Sequence, residues 1–72
     1  MDPWESFVAA HRVGDVLTGE VTKVLPFGAF VKVADTVEGL LVGDDRPELG
    51  TTIPVSIATI DRVKRRVSLA RA

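Results

Sequence analysis

Apolar residues recur with two different periods along this chain, and the change of period divides it in two. Trp4, Phe7, Val8 and His11 fall at i, i+3, i+4 and i+7, one stripe of an α-helix. Asp2, Pro3 and Glu5 suit its start, as a cap, a first-turn proline and the third position of a capping box. After Val13-Gly14-Asp15 the helical period stops and strand-favouring residues alternate instead. Turn signals then predict five strands: 16–25, 29–33, 37–42, 53–61 and 66–70. In the first, Leu17, Gly19 and Val21 share a face, and a glycine there marks a sharp bend or a close backbone approach. In the fourth, Val55, Ile57 and Thr59 alternate with Ser56, Ala58 and Ile60; in the fifth, Val67 and Leu69 point inward. Five short strands after one helix give an all-β fold, a small closed barrel. The expectation is a single domain, with a helix in 1–12 and a barrel in 13–72.

Within this pattern the segment from Lys23 to Val33 stands out. Ala29, Val31 and Val33 are apolar and should face the core, so Phe30 and Lys32 point to solvent. Phe27 breaks the alternation, and Gly28 can supply a bulge that re-aims a side chain. Exposed aromatics interleaved with cations form the stacking platforms of single-stranded nucleic-acid binders. The other reading of the same rings is core packing, where phenylalanine is more often found.

Charge sharpens the first reading only locally. The 72 residues carry a net charge of −1, which argues against an indiscriminate polyanion binder. Residues 1–61 hold all ten acids against Arg12, Lys23, Lys32 and Arg46, a balance of −6, whereas 62–72 carry five cations and no acid. That basic run is either an electrostatic handle or a solvated turn.

The remaining chemistry is sparse. There is no cysteine, so no disulfide or thiolate metal site forms, and His11 is the single histidine, placed at a helix end rather than among ligands. Ser6, Ser56 and Ser68 have only that histidine as a possible base, and no glycine-rich phosphate loop opens a helix. Neither an enzyme nor a cofactor protein is expected. Met1-Asp2-Pro3 lacks the basic start and apolar run of a signal peptide, and no apolar stretch has membrane-spanning length, so the default is a soluble intracellular protein.

Taken in order, several fragments resemble the S-one (S1) RNA-binding domain, the OB-fold repeat of the largest small-subunit ribosomal protein. They are Asp2-Pro3-Trp4, Val13-Gly14-Asp15-Val16, Gly19-Glu20-Val21-Thr22, Pro26-Phe27-Gly28-Ala29-Phe30-Val31 and Val37-Glu38-Gly39-Leu40-Leu41. Leu49-Gly50, Ile60-Asp61 and Arg66-Val67-Ser68-Leu69 complete the series. The resemblance implies a five-stranded OB-fold barrel with single-stranded, mRNA-like RNA crossing one face. It places Phe27 and Phe30 under bases, Lys32 beside them, Arg66 on phosphate and Asp61 at the opening of the last turn. Lys23, Lys64 and Arg65 join as neighbours by charge. It also implies a cytoplasmic, monomeric module of a ribosomal or RNA-processing assembly, working in translation beside neighbouring domains or ribosomal proteins.

Two departures bear on strength. Val42 and Asp44 stand where the family has a histidine and a serine, and the connection to the fourth strand is cut to 43–48, with Asp44, Asp45 and Glu48 in it. Those carboxylates would repel phosphate if they border the groove. The expectation is therefore weak binding by the isolated domain, reinforced by neighbours through effective concentration. The competing expectation is a degenerate barrel that docks a protein, through the acidic loop or a free strand edge, or acts as a spacer.

Overall fold

The computed structural model describes residues 2–43 and 47–72. Its order is α1 (Pro3–Ala10), β1 (Val16–Leu25), β2 (Gly28–Ala34), β3 (Val37–Val42), β4 (Thr52–Asp61) and β5 (Arg66–Arg71). The strands close into a barrel in the order β1-β2-β3-β5-β4, with β4 returning to β1. All neighbours are antiparallel except β3 and β5, which run parallel over Gly39–Leu41 and Val67–Leu69. This is the expected five-stranded OB-type barrel behind a short helix.

The helix forms because its start is satisfied locally. The Asp2 carboxylate accepts from the Glu5 backbone N–H at 2.8 Å, and Pro3 stands where no donor is needed. At the other end, His11 N–H donates to the Phe7 carbonyl at 3.0 Å. Eight residues are too few for a stable free helix, so the apolar stripe must dock. Phe7 does so, only 3% exposed within the core, while Trp4 and Val8 pack half-buried against it.

The barrel interior is filled by Val21, Ala29, Val31, Val37, Leu41, Ile53, Val55, Ile57, Val67 and Leu69. Gly19 lets β1 bend as it leaves β4 for β2; a Cβ there would stand 2.4 Å from Val31 Cγ1 and 2.8 Å from the Lys32 carbonyl oxygen.

Three register shifts alter which way side chains face, and none is visible in the period-two pattern. One lies between Val21 and Lys23 on β1, so the bulge opposite Phe30 belongs to Thr22 and not to Gly28. Gly28 serves a different purpose. A Cβ on it would sit 2.0 Å from the Leu41 carbonyl oxygen, so its bare backbone allows β2 and β3 to meet. The second shift, between Lys32 and Ala34, leaves Val33 only half-buried. The third falls between Ile57 and Thr59. Plain alternation puts Thr59 on the face of Val55 and Ile57; the extra residue instead turns it outward opposite Ser68, and Ile60 packs on the core.

Candidate nucleic-acid interface

The outer face of β1, β2, β3 and β5 is assembled by register. Lys23 stands opposite Phe30, Phe30 opposite Leu40, and Leu40 opposite Ser68, so these four side chains cross the sheet in one row. The Thr22 bulge makes this possible. In regular alternation Lys23 would share the inward face of Val21; the extra residue brings it to the face of Phe30. One step along, Lys32 pairs with Glu38, whose carboxylate accepts from the Thr22 hydroxyl.

Next to this row the β4–β5 turn delivers cations. Asp61 pairs with Arg66 in the sheet, and its Oδ1 accepts from the backbone N–H groups of Val63 at 3.1 Å and Lys64 at 3.0 Å. Asp61 thus fixes the turn, an Asx arrangement in which the side chain imitates a backbone acceptor. Arg65 and Arg66 then line a groove of about 420 Å³ together with Phe30, Glu38, Leu40, Val67 and Ser68. The Arg65 guanidinium also reaches Asp2 at the helix start, 3.4 Å away.

Phe27 sits at the tip of the β1–β2 hairpin, 58% exposed. Its carbonyl accepts from Gly43 N–H at 3.1 Å, which places it by Val42, itself 60% exposed and paired with Gly28. The structure therefore joins Phe30, Arg65 and Arg66 in one groove, sets Lys23 and Lys32 on the same face, and puts Phe27 at one end of it. Lys64 is exposed on the turn and is not among the groove's lining residues. The expectation for Asp44 and Asp45 lies outside the described residues; Glu48, the third carboxylate of that connection, is exposed and is not among the groove's lining residues.

Leu40, Glu38 and Ser68 join the site without having been singled out from the sequence. The signal is present in β3, where Val37, Gly39 and Leu41 are buried, so that Glu38, Leu40 and Val42 must take the other face. Among the described residues no group of three His, Asp or Glu side chains could hold a metal ion, and no helix is long and apolar enough to cross a membrane.

The chain is 38% identical over 80 residues to the small ribosomal subunit protein bS1 of Mycolicibacterium smegmatis, covering 96% of this chain and 17% of that protein. It thus spans less than a fifth of the length of this curated relative. The solution structure of GSP13 from Bacillus subtilis superposes with a TM-score of 0.75 at 29% identity, over 85% of this chain and 55% of that one. Protein MJ1198 from Methanocaldococcus jannaschii gives 0.76 at 25% identity, over 86% and 93%. The family model described as the S1 RNA binding domain matches residues 10–72, and the chain belongs to that family.

Proposed function

We propose that this barrel holds single-stranded RNA across the outer face of β1, β2, β3 and β5, with little sequence preference and no catalysis. The observation that carries this reading is the row in which half-exposed Phe30 stands between Lys23 and Leu40, beside a groove lined by Arg65 and Arg66. Phe30 and Phe27 are the stacking surfaces. Lys23, Lys32, Lys64, Arg65 and Arg66 neutralise phosphates, and Asp61 shapes the turn that carries three of them. Val42, in place of a histidine, extends the apolar floor beside Phe27 and supplies no hydrogen bond.

Magnitudes make the isolated domain a weak binder. Two stacking contacts supply roughly 2–6 kcal/mol in total, whereas association costs about 4–15 kcal/mol. Phosphate contacts must cover the difference, and they weaken with salt at a log–log slope of about −0.7 each. Affinity of about micromolar at best follows, with useful strength supplied by adjoining domains. The name of the M. smegmatis relative supports a cytoplasmic setting on the small ribosomal subunit. The free-edge docking route finds no support, because every strand of the closed barrel has two neighbours.

An amide-resolved NMR titration with single-stranded hexanucleotides, at low and then physiological salt, tests the reading. Shifts at Lys23–Lys32, Glu38–Val42 and Asp61–Ser68, fading with salt, are expected. A spectrum unmoved at low salt would overturn it.

A further inference from the structure

A second groove adjoins the platform. It is about 430 Å³, within the range of roughly 300–1,000 Å³ typical of small-molecule sites, and is lined by Asp2, Pro3, Trp4, Phe30, Thr36, Val37, Glu38 and Arg65. Phe30, Glu38 and Arg65 line this groove and the platform groove alike, so the two adjoin at these side chains. Trp4 is half-buried against the core, which fixes its indole in the wall while leaving part of it open.

The charges here differ from those of the platform. Asp2 is already engaged twice, by the Glu5 N–H and by Arg65, so it closes that side. Glu38 accepts from the Thr22 hydroxyl and lines both grooves. A carboxylate rejects phosphate but accepts hydrogen bonds from base amines, as it does from cytosine N4 or from paired N–H donors on a Watson–Crick edge.

We propose that the helix-side groove is a base-binding subsite for the same RNA strand: Trp4 stacks the base next to the one on Phe30, and Glu38 accepts from its amine-bearing edge. The inference rests on the platform reading and adds a preference to it. Guanine, cytosine and adenine carry exocyclic amines; uracil presents one N–H between two carbonyls and is disfavoured. Arg65, tethered to Asp2, sits where the backbone passes from one groove to the next.

Trp4 is the sole tryptophan, so its indole N–H gives one NMR signal and its fluorescence has one source. Titration with hexamers of uridine, cytidine and alternating uridine–guanosine is read at this indole and at the Lys23–Lys32 amides together. The expected result is indole shift and fluorescence quenching in step with the amides, and affinity about 5- to 100-fold higher for the amine-bearing strands. Glu38→Gln should remove most of that ratio while uridine binding persists; Trp4→Phe should retain binding and Trp4→Leu weaken it. Amide shifts without any indole response, or equal affinities with Glu38 intact, would overturn the subsite and leave the platform standing. Silence at both sites would overturn the two readings together.

Discussion

Thr36 and Arg65 are, among the described residues, the non-glycine positions with positive φ, at 57° and 54°. The left-handed region costs a non-glycine residue about 1–2 kcal/mol, and Thr36 is β-branched, which makes it the more strained of the two. Glycine gives back roughly 0.5–1 kcal/mol in chain entropy. Thr36→Gly should therefore raise stability by about 0.5–1 kcal/mol, read as a higher urea midpoint with an unchanged slope. Arg65→Gly should gain less, since Arg65 is the less strained and its contact with Asp2 is lost, and should weaken RNA binding, because the residue is also a groove cation. The stacking role is tested separately. Phe30→Ala should cost about 1–3 kcal/mol of RNA affinity, in protein first shown to be folded by its amide spectrum. If the loss is no larger than for an exposed control such as Val63→Ala, at a position 93% exposed, Phe30 is no platform.

At the scale of elements, the helix and the five strands were legible because each has a local cause. Asp2 caps, Pro3 opens, and period-two runs end in turn residues. What was not legible is the phase of alternation after each bulge. The shift at Thr22 sets Lys23 beside Phe30, and the shift after Ile57 sends Thr59 outward, yet neither residue type announces a bulge. Bulges come from how strands twist to close the barrel, a tertiary demand that overrides local pattern. The same applies to the site. Phe27, Phe30 and the basic turn could be read along the chain; alternation in β3 could put Glu38 and Leu40 on an outer face, but only pairing sets them beside Lys32 and Phe30. The turn itself offers a test at this scale. Asp61→Ala removes the acceptor shared by the Val63 and Lys64 amides. It should cost about 1 kcal/mol of stability, and it should reduce RNA affinity although Asp61 donates nothing to phosphate. Asp61→Asn, which keeps an acceptor oxygen, should restore the fold and most of the binding.

For the whole molecule, stability rests on tight backbone approaches more than on ionic contacts. The Arg65–Asp2 ion pair, at 3.4 Å, lies at the surface, where such pairs contribute little. By contrast Gly28 leaves no room for a Cβ against the Leu41 carbonyl, and that atom is backbone and cannot rotate aside. Gly28→Ala should force β2 from β3 and cost more than about 3 kcal/mol, seen as loss of dispersed amide signals. Phe7→Ala should cost about 3–5 kcal/mol through the cavity left in the core. Electrostatics belong instead to function. If three or four phosphates are engaged, log affinity should fall against log salt with a slope of about −2 to −3, and Arg66→Ala should lower that slope by about 0.7.

The parallel seam between β3 and β5 carries a consequence for timing. Gly39–Leu41 meets Val67–Leu69 there, so the two sides come from distant parts of the chain and no hairpin can bring them together early. The groove with Phe30 and Leu40 on one bank and Arg66 and Ser68 on the other lies along that seam. During synthesis, β1 to β4 can leave the ribosome without any completed site. On the proposed reading the platform is completed in a single event, when β5 slots between β3 and β4 and the barrel shuts.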